Sequence, residues 1–260
     1  VEREMRTAGI DIGSISTKAA ILEDGAVLGT KVGFTGYNAS VAGRKVFDEL
    51  LDELGIGASS IDRIVSTGYG RNSVDFAHKS MTEIICHGAG AYFLNRQVRT
   101  VVDVGGQDSK ALILDASGRV TDFVMNDKCA AGTGRFLEVM ARALEVNLDE
   151  FGELSLHSEK PSKISSICTV FAESEVISLI SKGEPRENII AGIHDSVASR
   201  VYAMAQRLAV KSPLMMSGGV AKNIGVVRAL EKRFGSPIEV TGYAQVNGAI
   251  GAAVLACSLS

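Results

Sequence analysis

Hydrophobic and polar positions follow a strand, turn, strand rhythm near the start of the chain. Between Thr7 and Phe34 three apolar segments are separated by tight turns, and Asp24-Gly25 is a hairpin signal. The same rhythm returns between Val98 and Met125, again with an Asp followed two residues later by Gly at the first turn. The sequence therefore predicts two antiparallel meanders related by internal duplication.

Helical spacing of apolar residues follows each meander. In the first half it predicts helices over about 40–54 and 81–94, with a short buried strand over 61–66. In the second half it predicts helices over about 133–146, 172–181, 186–210 and 245–256, and short strands over 213–216 and 238–240. This order of elements predicts an α/β protein with two halves around a cleft.

Composition narrows the class of protein. The 260 residues are 46% hydrophobic and 22% charged, which is typical of globular proteins. The net charge of -3 comes from 27 basic and 30 acidic residues that are interspersed, so we expect no nucleic-acid partner. The start, Val1 to Arg6, is charged, and no apolar run approaches the roughly 18 residues that span a bilayer. We expect a cytoplasmic protein with no export signal and no membrane anchor.

Three glycine-containing loops carry candidate phosphate-binding chemistry. In the loop from Asp11 to Lys18 (DIGSISTK), glycine admits a close backbone approach, and the hydroxyls and Lys18 can reach anionic oxygens. The loop from Asp103 to Asp108 (DVGGQD) offers carboxylates for metal or water beside two glycines. The loop from Ser217 to Ala221 (SGGVA) joins a strand to a helix, whose N-terminus favours negative charge or packs beside a nucleoside. A Walker A motif and a Rossmann fingerprint are both absent from the sequence.

Together these loops resemble the phosphate-1, phosphate-2 and adenosine motifs of the actin, heat-shock-chaperone ATPase and sugar-kinase superfamily. The resemblance covers essentially the whole chain. It implies two duplicated ribonuclease-H-like lobes around a cleft that binds ATP or ADP, with hinge-type rotation between nucleotide states. We expect the lobes at 1–97 and 98–260, with the last helix, about 245–260, a candidate to pack back on the first lobe.

Two of the four cysteines stand just before predicted helices. Cys129 lies in NDKCAAGTGRF and Cys168 lies in SSICTVFAESEVIS. The positive end of a helix dipole favours a thiolate and would also stabilise a negatively charged cluster. Two cysteines do not complete the four-thiolate coordination of a cubane cluster, although a symmetric dimer would supply four. On the residues alone, bare thiols stay the alternative.

The remaining candidate ligands carry weaker signals. Cys86 and Cys257 have apolar neighbours and are predicted to be small buried side chains. The histidines show no metal-ligand spacing and are predicted to be structural or exposed: His78, His87, His157 and His194. Glu173 and Glu175 are expected to charge a helix start rather than to perform acid–base chemistry.

The two cysteine segments closely resemble the activator component of 2-hydroxyacyl-CoA dehydratases and the related benzoyl-CoA reductase ATPase subunits. This resemblance implies a homodimer bridged by one 4Fe-4S cluster, held by Cys129 and Cys168 of each chain, with ATP bound to each subunit. It implies transfer of one electron to a dehydratase or acyl-CoA reductase component, with a ferredoxin or flavodoxin as electron donor. We expect oxygen sensitivity, because such a cluster would lie at an accessible interface.

For ATP hydrolysis, positioning and metal matter more than covalent catalysis. We predict that Asp11 and Asp103 hold hydrated Mg²⁺, that Gln107 or Asp108 orients water, and that Lys18 contacts phosphate oxygens. Other expected phosphate contacts are Gly13, Ser14, Ile15, Ser16, Thr17, Gly105 and Gly106. The superfamily resemblance implies nucleoside contacts at Gly218, Gly219, Asn223 and Gln245.

Two other functions fit the same fold. A small-molecule kinase, such as a pantothenate or amino-sugar kinase, needs an acceptor site and a general base but no cysteines at two helix starts. A nucleotide-gated scaffold or chaperone-like module would have no redox centre. Iron content and colour separate both alternatives from the activator.

Overall fold

The computed structural model describes residues 5–165 and 168–259, so the first four residues of the charged start and the last residue of the predicted final helix lie outside it. The strands are β1 (Arg6–Ile12), β2 (Ser16–Glu23), β3 (Ala26–Phe34), β4 (Arg63–Thr67), β5 (Lys79–Ser80), β6 (Thr100–Val104), β7 (Ser109–Leu114), β8 (Val120–Asn126), β9 (Leu214–Ser217) and β10 (Ile238–Glu239). The helices are α1 (Ala39–Leu54), α2 (Glu83–Leu94), α3 (Gly134–Ala143), α4 (Leu148–Ser155), α5 (Thr169–Ser181), α6 (Arg186–Ala205), α7 (Ile224–Phe234) and α8 (Asn247–Ala256).

The strands form two five-stranded sheets with the same internal order. The first sheet runs β3-β2-β1-β4-β5 and the second runs β8-β7-β6-β9-β10. In each, three antiparallel strands form a meander, and the two later strands lie parallel to the first strand of that meander. The predicted repetition of one meander within an α/β protein is confirmed.

Each sheet buries one face under its own helices. On the first sheet, α1 presents Val46, Phe47 and Leu50 to a core that includes Ile10 and Ile21. Asn38 caps this helix by accepting a hydrogen bond from the Val41 amide, and Gly55 ends it in the left-handed conformation. The second sheet is covered by a larger core that draws on α3, α4, α5, α6 and α7.

Helices α2 and α8 pack against each other and against both sheets. Helix α8 contacts β1, β2 and β4, while α2 contacts β6, β7 and β8. Glycines permit this close packing: a side chain at Gly9 would overlap the backbone of Ala249, and one at Gly251 would overlap the backbone of Cys86. The division of the chain at residue 97 stays a prediction, because α2 belongs by contact to both sides.

Three elements differ from the sequence predictions. The two-residue strand β5 and helix α4 were not predicted, since α4 has few apolar positions and an internal glycine. Helix α6 ends at Ala205 rather than near Val210, because the Arg207 and Leu208 amides donate to carbonyls three residues back and tighten the last turn. Within the described ranges, no helix is both long and apolar enough to cross a membrane.

Candidate nucleotide cleft and exposed cysteine pair

The first phosphate-loop candidate is the hairpin between β1 and β2. The Gly13 amide donates to the Ser16 carbonyl at 3.1 Å, and the Thr35 hydroxyl donates to the Gly13 carbonyl at 2.8 Å. In the strand register Asp11 lies directly opposite Lys18, and their side chains form an ion pair at 3.5 Å. Both side chains therefore project from the same face of the hairpin into the cleft.

The second candidate is the hairpin between β6 and β7, which repeats this arrangement. Asp103 lies directly opposite Lys110, and the Gly105 amide donates to the Asp108 carbonyl at 2.9 Å. The loop is tied to the start of α3, because the Gly134 amide donates to the Gly105 carbonyl at 2.9 Å. The two hairpins thus present equivalent Asp and Lys side chains.

Asp103 is held by three groups. Its Oδ1 accepts a hydrogen bond from the Ser217 hydroxyl at 2.7 Å and lies 3.3 Å from His87 Nδ1, while its Oδ2 lies 3.1 Å from Lys110 Nζ. Burial alone would raise the pKa of this carboxyl, but the charges of His87 and Lys110 and the Ser217 hydrogen bond hold its pKa well below the usual range. Asp103 is therefore a fixed carboxylate.

Lys110 is almost completely buried among carboxylates. Besides Asp103, its ammonium contacts Asp108 directly and lies 3.5 Å from Glu83 Oε1 on α2. Burial by itself lowers the pKa of a lysine, but the three carboxylates outweigh it and raise the pKa of Lys110 above its usual range. Lys110 is therefore a charged group at neutral pH.

The third loop follows β9. The Gly218 amide donates to the Ala244 carbonyl at 2.9 Å, and Gly218 has a φ of 89°, a conformation that favours glycine. Asn223 caps α7 by accepting a hydrogen bond from the Val226 amide at 3.1 Å. This loop therefore brings a glycine-rich backbone and a helix start to the cleft.

A cleft of about 370 Å³ lies between the three loops. Nearly all predicted nucleotide-site residues line it: Asp11, Gly13, Ser14, Ile15, Ser16, Lys18, Asp103, Gly105, Gly106, Asp108, Gly218, Gly219, Asn223 and Gln245. At one point the loops from the two sheets lie close together: Gly106 approaches Ile15 so closely that any side chain in place of the glycine would overlap Ile15. The volume and the glycine-rich walls are those of a small-molecule site.

Thr17 and Gln107 do not line the cleft. Thr17 lies on the opposite face of β2 from Ser16 and Lys18, since neighbouring strand residues alternate, and it shares a buried hydrogen bond with Thr35 at 2.9 Å. The Gln107 side chain is exposed at the tip of the second hairpin. Of the two residues predicted to orient water, Asp108 lines the cleft and Gln107 does not.

The cysteines Cys129 and Cys168 lie outside the cleft, and both are exposed. Cys168 is the N-cap residue of α5, while Cys129 lies in the loop before α3, which packs against α5. Arg200 of α6 packs against this loop at Gly132; burial lowers the pKa of its guanidinium, and the nearby Cys129 opposes that effect. Ser166 and Ile167 of the second cysteine segment lie outside the described residues.

The loops, the cleft and the repeated sheets match a known family over nearly the whole chain. The model of the BadF/BadG/BcrA/BcrD ATPase family matches residues 8–256. The chain belongs to this ATPase family. Membership confirms the predicted family and the prediction that the protein is an ATPase.

Relatives of this ATPase carry consistent names. It is 49% identical over 253 residues to an activator of lactoyl-CoA dehydratase from Anaerotignum propionicum, covering 97% of each chain. It is 48% identical over 252 residues to an (R)-2-hydroxyglutaryl-CoA dehydratase activating ATPase from Acidaminococcus fermentans, covering 96% of each chain. The crystal structure of (R)-2-hydroxyglutaryl-CoA dehydratase component A from Acidaminococcus fermentans superposes with a TM-score of 0.94 at 47% identity, covering 97% of each chain.

Distant solved structures confirm the predicted fold of this ATPase. A ROK hexokinase from Thermus thermophilus superposes with a TM-score of 0.51 at 15% identity, covering 97% of the present chain and 99% of the hexokinase. At that identity the likeness shows the fold alone.

Several cleft residues of this ATPase were missed by sequence reasoning. They are Glu83, His87, Lys110, Gly134, Leu137, Glu138, Leu148, Asp149, Val220 and Lys222. One signal was available for Lys110, because it stands seven residues after Asp103 just as Lys18 stands seven residues after Asp11. Glu83 and His87 are four residues apart on α2 and share a face, but the helix pattern does not reveal which sheet that face meets.

The other cysteines and histidines have mixed outcomes. Cys86 is buried as predicted, and burial raises the pKa of its thiol to about 12. Cys257 is exposed, so that prediction is wrong, because α8 ends at Ala256 and its last turn opens to the surface. Within the described residues, no three His, Cys, Asp or Glu side chains are grouped as metal ligands.

Three of the four histidines are structural or exposed, as predicted, whereas His87 lines the cleft. His194 packs edge-on against Phe151, and burial lowers its pKa to about 3, so the ring is neutral. His78 and His157 are exposed, whereas His87 lies buried at the base of the cleft.

Glu175 lies on α5 and contacts a residue that precedes this helix. It accepts hydrogen bonds from the Ser165 amide and hydroxyl, and so holds Ser165, three residues before Cys168.

Proposed function

We propose that this ATPase is a one-electron donor that activates a 2-hydroxyacyl-CoA dehydratase, with a 4Fe-4S cluster bridging a homodimer. The observation that carries the proposal is that Cys129 and Cys168 are both exposed and lie outside the nucleotide cleft, Cys168 at the start of α5 and Cys129 in the loop before α3, which packs against α5. The named relatives, at 48% and 49% identity, support the activator over the small-molecule kinase. A related acyl-CoA reductase is the alternative partner.

The exposed cysteines fit the proposed cluster. Each thiol precedes a helix whose N-terminus carries partial positive charge, and the Arg200 guanidinium packs against the Cys129 loop. Four thiolates complete a cubane cluster, so the pair in one chain requires the same pair from a second copy. The bound cluster would supply one-electron redox chemistry, and Cys129 and Cys168 would hold it.

The exposed face of α5 supports a second copy as the partner. Val170, Phe171, Ile177 and Ile180 are all exposed on this helix, directly after Cys168. Exposed apolar side chains at this spacing are typical of a helix that packs against another protein. A twofold axis beside Cys168 would bury this face and bring the two cysteine pairs together.

The cleft fits Mg²⁺ with a nucleotide. It is lined by six carboxylates, Asp11, Glu83, Asp103, Asp108, Glu138 and Asp149, but by only three lysines, Lys18, Lys110 and Lys222. A pocket with excess negative charge accepts a polyphosphate only with a cation, and Mg²⁺ commonly binds through one or two carboxylates plus phosphate oxygens. Asp11, Asp103 and Asp108 line the cleft and would hold it directly or through water, and Lys110 already contacts both Asp103 and Asp108.

ATP would drive electron delivery by selecting one arrangement of the two sheets. A ligand shifts such an equilibrium only by its difference in affinity between the two states. The loops at Ile15 and Gly106 touch across the cleft, so phosphates bound between them would change their separation and, through α3, the position of the Cys129 loop. A ferredoxin or flavodoxin as electron donor and a cytoplasmic, anaerobic setting complete the proposal.

The test is iron and acid-labile sulfide content, measured with solution mass on anaerobically purified protein. We expect about two irons per chain in a brown dimer. Cys168→Ser should lose the iron, whereas Cys257→Ser, which removes another exposed thiol, should retain it. A colourless, iron-free wild-type protein after anaerobic reconstitution would contradict the proposal and favour the kinase, which phosphorylation of pantothenate or an amino sugar would then identify.

A further inference from the structure

Lys18 and Lys110 occupy equivalent positions in different surroundings. Each lies opposite the aspartate that is the second-last residue of the first strand of its meander. Lys18 pairs with Asp11 alone at 3.5 Å and is partly open to the cleft, as a phosphate ligand must be. Lys110 is buried and pairs with three carboxylates, so its ammonium is already fully engaged by protein groups.

The three carboxylates around Lys110 come from three separate segments. Asp103 is the second-last residue of β6, Asp108 lies in the following loop, and Glu83 stands in the first turn of α2. Without a cation among them, these carboxylates would repel one another at close range. Lys110 therefore fixes the second phosphate loop relative to both its own strand and α2.

We propose that Lys110 is a positioning residue for the ATPase reaction, which holds Asp103 and Asp108 in place and sets how strongly the cleft binds a divalent cation. The inference rests on the proposed nucleotide site but not on the iron–sulfur cluster. The ammonium occupies the space in which Asp103 and Asp108 would otherwise share a metal ion. Its positive charge neutralises one carboxylate and so weakens the attraction of the empty cleft for Mg²⁺. The cation would then bind strongly only when nucleotide phosphates supply further ligands.

The proposal predicts opposite effects for two substitutions around the same ammonium. Lys110→Met removes a positive charge and should make the cleft bind Mg²⁺ more tightly, while weakening nucleotide binding without metal. Glu83→Gln removes a negative charge and should weaken the cleft for Mg²⁺, while leaving Lys110 paired with Asp103 and Asp108. The opposite shifts test the charge that Lys110 contributes to the cleft, while a fall in the ATPase kcat of Lys110→Met tests its positioning of Asp103 and Asp108.

The experiment measures the affinity of a fluorescent ATP analogue against free Mg²⁺ concentration, and again in excess EDTA. For Lys110→Met we expect the Mg²⁺ concentration at half effect to fall about tenfold, the affinity in EDTA to fall, and the ATPase kcat to fall at least about tenfold. For Glu83→Gln we expect the Mg²⁺ concentration at half effect to rise about threefold. Lys45→Met, the same substitution on the exposed surface of α1, is the matched control and should change neither.

Mg²⁺ curves that coincide with wild type in both variants, or that shift in the same direction in both, would overturn the proposal. If Lys110→Met does not fold, the direction of the Glu83→Gln shift decides the question. Because the readout is binding, it is independent of cluster content. A wild-type protein that binds the analogue but contains no iron would therefore refute the electron-donor function while leaving the role of Lys110 to be decided on its own result.

Discussion

The two phosphate-loop hairpins share one design and differ in how deeply it is buried. Both carry an aspartate one residue before the end of a strand, turn through glycine, and return with a lysine opposite that aspartate. In the first hairpin the pair of Asp11 and Lys18 faces the cleft with a single contact at 3.5 Å. In the second, Asp103 and Lys110 join a buried network with Ser217, His87, Asp108 and Glu83. The same two residues thus occur at equivalent positions in both hairpins, but one pair is open to the cleft and the other is buried in a network of protein groups.

The largest expected difference between the hairpins is in stability. Asp103→Asn leaves Lys110 buried with less compensation and should lower the free energy of unfolding by about 3 kcal/mol, since removing one partner of a buried pair is costly. Asp11→Asn removes one longer contact and should cost about 1 kcal/mol. Urea denaturation at a fixed protein concentration gives both values. Equal losses for the two variants would show that the hairpins carry the same structural load.

For nucleotide affinity we expect the first hairpin to matter more than the second, and the lysine variants test this. Lys18→Met should weaken ATP binding about tenfold, which corresponds to about 1.4 kcal/mol, because it removes a charge that is open to phosphate oxygens. Its unfolding free energy should fall by only about 1 kcal/mol, because it removes the same single contact as Asp11→Asn, and by less than that of Lys110→Met. Isothermal titration with ATP, beside a thermal melt of each variant, separates the two effects. An unchanged ATP affinity in Lys18→Met would remove the first hairpin from the phosphate site.

The smallest expected effect concerns acid sensitivity, which the second sheet should dominate. Burial lowers the folded-state pKa of His194 to about 3, so the unfolded chain binds a proton first as the pH falls below the ordinary histidine value near 6.5. Stability from this group is complete above about pH 6.5 and declines as the pH falls towards 3. Between pH 6.5 and 5.5 it should fall by about 1 kcal/mol, and His194→Gln should abolish that slope. Urea midpoints at the two pH values test this, and an unchanged slope in the variant would assign acid sensitivity elsewhere.

Sequence patterns predicted the repeated meanders and the three loops because both depend on local signals. Strand alternation, turn residues and the Asp-x-Gly spacing are read within about ten residues. Helix α4 escaped, because Gly152 interrupts its pattern and is needed only where the chain packs against Asn223 and Ile224. That contact joins segments about seventy residues apart, which no local pattern records.

Within the candidate site, the missed residues are those whose role depends on a distant partner. The spacing from Asp103 to Lys110 was visible, but the burial of Lys110 depends on Glu83, which α2 brings from another part of the chain. Cys257 was misjudged for a related reason, since apolar neighbours in sequence do not reveal that the residue after the predicted helix end lies at the surface. The sequence thus predicted which residues share one face of a helix or strand, but not which other element that face packs against.

The packing of α8 against β1, β2 and β4 also bears on how the protein is made. Strand β4 leaves the ribosome long before Ala256, by a span that takes about 10 to 40 s at ordinary rates of synthesis. During that interval the face of β1 that Ala249 and Ala253 later cover remains open in the nascent chain. The first sheet to be translated is thus the last to have both faces covered. We expect a chaperone to act on the face that remains uncovered.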